Sequence, residues 1–232
     1  MNYSQDFINY ATKHLNINSM QLHYWEKLQD KLYGPNASLT PYITEESDRR
    51  SIQMDIFSRM QMERIIWVAG VVNDNMSVVT TAQLMWLDTQ GNEDITMHID
   101  SPGGSVKSGL SMVDVMNYVS SDIITINTGM AASMGSVLLG AGTKGKRYSL
   151  PHSRVMLHQV SGGAEGVLAD MEISLNEAKK YNDELFRMLG EYCDKDPEQV
   201  KQDATRDFWM NAQEAVEYGI IDAVIKSKSE IR

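Results

Sequence analysis

Only one cysteine, Cys193, stands in a chain of 232 residues. That excludes an internal disulfide framework and a cysteine-rich zinc site, and it fits a reducing compartment. Basic charge is also short. The 21 Lys and Arg face 31 Asp and Glu, a formal net charge of −10, which leaves no positive footprint for phosphates and excludes nucleic acid as the main partner. Long apolar runs are missing too: the longest strongly apolar stretch, 65–72, falls far short of the roughly 20 residues a membrane span needs. Residues 1–6 offer neither a basic n-region nor an apolar h-region, so no secretory signal is expected. The histidines His14, His23, His98, His152 and His158 form no H-E-x-x-H pair, which leaves a zinc hydrolase without support.

What remains is 42% hydrophobic and 22% charged, a globular composition with enough length for one domain and an appendage. The first 60 residues or so are polar and broken at Gly34-Pro35-Asn36. Within them, Leu22, Trp25, Leu28 and Leu32 mark an amphipathic helix, read either as docked on the domain or as part of a removable segment. From Arg64 onward, short apolar runs alternate with helical patterns, the α/β signature. Strands are expected at 64–69, 95–99, 122–126 and 153–157, with helices at 78–87, after 105 and over 134–139. The longest helix carries Met171, Leu175, Ala178, Leu185, Met188 and Tyr192 on one stripe, a candidate oligomer contact. Asp196-Pro197 marks a helix start, and Asn211 with Glu214 forms a capping box closed by Gly219. The abundant methionines, 16 in all, read as adaptable filling of core or interface.

Two local patterns compete for chemistry. Gly140-Ala-Gly-Thr-Lys-Gly145-Lys146-Arg147 satisfies G-x-G-x-x-G and also G-x-x-x-x-G-K. A phosphate loop needs a strand before it, a helix after it and a hydroxyl for magnesium. Here a helix precedes, Arg147 replaces the hydroxyl and Pro151 interrupts the stretch where the second helix would run, so the segment reads as a helix-to-strand turn. Ser133, between Ala132 and Met134-Gly135 at a strand-to-helix junction, has the small flanks of a nucleophile elbow. Serine is equally good as a helix N-cap. The local pattern leaves both readings open, and a lone histidine such as His158 at a strand end is usually structural.

Three segments taken together resemble the signature blocks of the ClpP family, the proteolytic subunits of Clp proteases. They are Ser101-Pro-Gly-Gly104, Met130-Ala-Ala-Ser-Met-Gly135 and Arg154-Val-Met-Leu-His158-Gln159, joined by Gly145-Lys-Arg147, Arg206-Asp207 and Glu214-Ala-Val-Glu-Tyr-Gly219. The resemblance implies Ser133 as nucleophile, His158 as general base and Asp207 as orienting carboxylate, with an oxyanion hole of the Gly104 and Met134 N–H groups. It implies no metal and no cofactor in this chain, a crotonase-like spiral of ββα units, and a protruding handle over about 164–193. It divides the chain into an N-terminal extension or prosegment at 1–36, an axial segment and helix at 37–63, and a catalytic domain at 64–232. It also implies two stacked heptameric rings, and a Clp-family AAA+ unfoldase such as ClpX, ClpA or ClpC that uses the ATP and delivers unfolded protein. The location implied is cytoplasmic, of bacterial type.

Departures from the pattern carry expectations of their own. Residues 1–36 exceed a mature subunit, so self-processing near 37–40 is expected. Thr205 stands where many relatives carry an acid that pairs across the rings, which puts that ion pair in doubt. Thr96 and His98 replace rim aromatics where the ATPase docks, although Tyr118 keeps its ring, so partner binding is expected to be differently tuned. The rivals are a catalytically silent ring scaffold, a nonspecific esterase and a crotonase-type acyl-CoA enzyme. The order Ser…His…Asp argues against α/β-hydrolases, which run Ser…Asp…His.

Overall fold

The computed structural model describes residues 42–47, 50–163 and 165–231, in two units, Met1–Arg59 and Met60–Arg232. The segment 1–36 and its amphipathic helix lie outside the described residues. In the first unit, β1 (Tyr42–Ser47) and β2 (Arg50–Asp55) form an antiparallel hairpin that brings Ser47 opposite Arg50. Helix α1 (Ile56–Met62) comes next in the chain.

The second unit is α/β with a parallel sheet. Its elements run β3 (Ile65–Ala69), α2 (Asp74–Gln90), β4 (Ile95–Ser101), α3 (Val106–Tyr118), β5 (Ile123–Ala132) and α4 (Met134–Gly140). They continue with β6 (Arg147–Ser149), β7 (Arg154–Leu157), α5 (Leu168–Cys193), α6 (Pro197–Asp203), β8 (Phe208–Asn211), α7 (Ala212–Tyr218) and β9 (Ala223–Val224). The sheet order is β3-β4-β5-β6-β9, and every one of these neighbours is parallel. The long strand β5 serves two partners in succession. Its middle pairs with β6 at Thr125–Asn127, and its end pairs with β7 at Met130–Ala132. β8 then adds antiparallel to β7.

Burial tracks the strand period. Along β4, Ile95, Met97, Ile99 and Ser101 point inward while the residues between them do not. Ile95, Met97 and Ile99 share one core with Leu84 and Leu87 of α2, Met112 and Met116 of α3, and Leu138 and Leu139 of α4. Each such side chain removed from water contributes about 1.5–3 kcal/mol. Met97 and Met112 are fully buried, as expected of methionine used to fill irregular gaps.

Several boundaries differ from the sequence reading. α2 begins four residues earlier than expected, because Asn73 Oδ1 caps it by accepting the Met76 N–H at 3.0 Å. The 122–126 strand extends to Ala132, since β7 continues the pairing that β6 leaves off. Strands β6, β8 and β9 have only three, four and two residues, too short to show a period. The α6 cap at Asp196 and the α7 capping box of Asn211 and Glu214 stand as read.

Helix α5 departs from its single stripe. Phe186, Met188, Leu189 and Cys193 are buried, so the C-terminal half docks on the domain. Met171 and Leu175 are exposed, and so is Ile173 at 68%. The first half of this 26-residue helix thus leaves apolar side chains without cover from its own unit. Among the described residues, no helix is long and apolar enough to cross a membrane.

Two arginines bolt the frame. Arg64, at φ +59, donates to the carbonyls of Leu87 (2.9 Å), Gly91 (3.1 Å) and Glu93 (2.7 Å), tying the end of α2 to the entry of β4. Arg147, with its side chain 4% exposed, pairs bidentately with Asp222 at 2.6 and 3.0 Å and donates to the Tyr192 carbonyl at 2.8 Å. That joins β6, the approach to β9 and the end of α5.

Candidate active site

Three strand ends converge. Ala132 at the end of β5 pairs with Met156, and the Ser133 N–H donates to the Met156 carbonyl at 2.9 Å. The last β7–β8 pair is Leu157 with Phe208, so one step outward His158 stands opposite Asp207. Residues 133, 158 and 207 are thereby brought to one end of the strands β5, β7 and β8 by register alone.

Ser133 holds φ +54 and ψ −122, a conformation an ordinary residue rarely adopts. It precedes α4 at the N-cap position, yet its side chain makes no capping hydrogen bond. Instead, its Oγ lies 2.8 Å from His158 Nε2. The helix-cap reading left open by the sequence is therefore not the role this side chain plays. The elbow leaves no space beside it. A Cβ on Gly103 would meet Ser133 Cβ at 2.7 Å and Met134 N at 2.9 Å. Gly104, at φ +149, passes so close to Val72 that a Cβ would lie 2.3 Å from its carbonyl oxygen. Gly103 lets the 101–105 loop run directly against the turn that carries Ser133, and Gly104 lets it pack on Val72.

His158 Nδ1 is 3.5 Å from Asp207 Oδ1, with side-chain exposures of 24% and 63%. This is ion-pair range, longer than an ordinary N–H···O hydrogen bond. With a proton on Nδ1 facing the carboxylate, Nε2 is the ring atom that accepts from the serine hydroxyl. Gly104, Ser133, Met134 and His158 line one cavity, whose apolar wall is built by Val106, Val137, Leu157, Phe186 and Leu189. Met134 opens α4, so its N–H has no intrahelical acceptor. The Val72–Gly104 bridge is made by the Val72 N–H to the Gly103 carbonyl and by the Ser105 N–H to the Val72 carbonyl, which leaves the Gly104 N–H out of it. A serine hydroxyl, an imidazole in contact with it and two N–H groups without an acceptor among the described residues, gathered at one cavity, have the chemistry that acyl transfer needs.

The glycine-rich decoy has a different use. Residues 141–146 connect α4 to β6, helix to strand. The Gly145 and Arg147 N–H groups donate to the Asp222 carboxylate at 2.7 and 2.9 Å, so an internal anion takes the donors a phosphate would need. Cys193 is buried, and burial pushes its thiol up to about 12, which keeps it from acting as a thiolate. His98 stacks on Trp67 with ring centroids 4.7 Å apart, and its Nδ1 is buried with no hydrogen-bond partner among the described residues. Among the described residues, no group of three or more His, Cys, Asp or Glu is placed to hold a metal.

Thr205 donates through Oγ1 to the Gln202 carbonyl at 2.8 Å, and its own carbonyl accepts from Gln159 Nε2 at 3.3 Å. Sequence reasoning missed Gly103 as the residue against the elbow. It also missed Asn182, which lines the cavity from α5. The double glycine at 103–104 signals the first, whereas Asn182, one of two asparagines in α5 with Asn176, carries no signal that sets it apart.

Residues 48–228 match the Clp protease family. The chain is 47% identical over 224 residues to the ATP-dependent Clp protease proteolytic subunit of Bacteroides fragilis, covering 96% of this chain and 99% of that one. It is 44% identical over 222 residues to the protein of the same name from Porphyromonas gingivalis, covering 95% and 97%. The proteolytic subunit of Ligilactobacillus salivarius is 45% identical over 196 residues, or 84% of this chain and all of the relative.

Proposed function

The chain belongs to the Clp protease family and is a serine peptidase, and from that premise we propose that Ser133, His158 and Asp207 are its nucleophile, general base and orienting carboxylate. The observation that carries this assignment is the 2.8 Å approach of Ser133 Oγ to His158 Nε2 from an elbow that caps no helix. In this reading, neutral His158 takes the Ser133 proton as Oγ attacks the peptide carbonyl. The developing oxyanion rests on the N–H groups of Gly104 and Met134, each donor of this kind being worth about 3 kcal/mol in the transition state. His158 then passes the proton to the leaving amine, and water repeats the sequence on the acyl-serine. Asp207 stabilises the imidazolium, and its contact of 3.5 Å closes as that charge forms.

The finer architecture is proposed with it: a crotonase-like spiral whose α5 is a handle, two stacked heptameric rings joined through that handle, and a cytoplasmic setting. The exposed Leu168, Ile173 and Leu175 support the handle contact. The relatives are named ATP-dependent. Because the glycine-rich turn of this chain is committed to Asp222, ATP is assigned to a separate Clp-family unfoldase, and no cofactor is assigned to this chain.

The test uses the purified chain with a short fluorogenic peptide and with a folded protein. The peptide is expected to be cleaved without nucleotide, and His158→Ala is expected to lose that activity because nothing then accepts the Ser133 proton. The folded protein is expected to be degraded only with a Clp-family ATPase and ATP. Peptide hydrolysis retained in His158→Ala would remove His158 as base. Nucleotide-dependent degradation by this chain alone would remove the separate ATPase.

A further inference from the structure

His158 sits one residue beyond the ladder that places it. β7 ends at Leu157, its pairing with β5 at Met156 and with β8 at Leu157. The chain past the base is held by side chains instead. Two residues on, the Val160 N–H donates to Asn182 Oδ1 at 3.0 Å. Asn182 lies in α5 just before Phe186 and Leu189, which are buried and wall the cavity beside Ser133. It therefore stands on the docked half of that helix, not on its exposed half. Asparagine is a poor choice inside a helix, because its side chain competes for backbone groups. Here that tendency is directed across to another segment.

We infer that Asn182 is a positioning residue for the hydrolysis proposed above: its hydrogen bond fixes the backbone at Val160 and so holds the His158 imidazole between Ser133 and Asp207. The inference rests on His158 being the base. The Asn182 side chain accepts from the Val160 N–H, and it acts through the chain between 158 and 160. Without its acceptor, the hydrogen bond left to residues 159–161 among the described residues is the 3.3 Å contact of Gln159 with the Thr205 carbonyl.

Because Asn182 also lines the cavity, the test separates positioning from substrate fit. In the full chain, Asn182→Leu keeps the shape and removes the acceptor, whereas Asn182→Asp keeps an acceptor oxygen. Asn182→Ala, a strong helix former, takes the place of leucine if leucine does not fold. For a fluorogenic peptide, the acceptor-less variants are expected to lose about 10- to 100-fold in kcat, the scale of a misplaced catalytic group, with KM within about twofold. Inactivation by diisopropyl fluorophosphate, which has no peptide side chain to seat, should slow in parallel, and Asn182→Asp should recover both rates. Unchanged kcat, a change in KM alone, or an Asp variant as impaired as the Leu variant overturns the positioning role and leaves Ser133 and His158 in place. A wild type inert to both peptide and fluorophosphate overturns the reading of the site, and this inference with it.

Discussion

Replacing Ser133 with alanine is expected to lower kcat for peptide hydrolysis by about 10⁶-fold, the scale seen when the nucleophile of a serine protease is removed. Folding should hardly change. Alanine keeps the same Cβ, so the strain at φ +54 is equal in both proteins. The lost hydroxyl caps no helix, so only its contact with His158 disappears. A stability change within about 0.5 kcal/mol is expected by chemical denaturation. A variant that keeps a tenth or more of the activity would mean that another group attacks. A variant that unfolds would mean that the hydroxyl is structural after all.

The second large effect lies in the frame. Arg147→Ala is expected to cost about 3–5 kcal/mol, because it leaves the Asp222 carboxylate half-buried with its counter-charge gone. The Tyr192 carbonyl loses its donor as well. Acid should narrow the gap between wild type and variant. Burial, the largest single influence, pushes the Asp222 carboxyl upward. The Arg147 side-chain and backbone hydrogen bonds, the guanidinium charge and the Gly145 N–H outweigh it and hold the group below 3.8. A carboxyl depressed in the folded state contributes stability that is fully present above its unfolded value. That contribution is lost as pH falls through the lower folded value. Denaturant melts at neutral pH and at stepwise lower pH should therefore show the wild-type advantage shrinking as pH falls through the carboxylate range, the variant's Asp222 taking its proton before the wild type's does. An advantage that is flat through that range would remove the ion pair as its source.

The site was more legible in the sequence than the frame was. Ser133 carries a local signal in its small neighbours, because an elbow and a tight helix entry both demand them. That signal could not separate nucleophile from cap, and the separation came from where Oγ points. His158 and Asp207 have no local signal at all. Their pairing comes from the antiparallel register of β7 and β8, and β8 is only four residues long and shows no period. Only the resemblance of several blocks at once brought all three residues into view. Arg64 escaped for a different reason. It reads as the first residue of a strand, whereas its guanidinium is spent on backbone carbonyls about 23–30 residues away in sequence. Hydrogen bonds to carbonyls leave no trace in residue type, because every residue has one. The stripe on α5 was half legible. A helical period marks which face is apolar, but not how far along the helix the domain reaches.

The central claim is that Ser133 is the attacking group, and covalent labelling reads it most directly. The full chain is treated with a fluorophosphonate until peptide hydrolysis stops, then digested, and the adduct is located by mass spectrometry. One adduct is expected, on the peptide containing Ser133, formed at a rate that collapses in His158→Ala. Hydrolysis that continues with Ser133 unmodified, or that stops with the adduct on a different residue, would contradict the assignment.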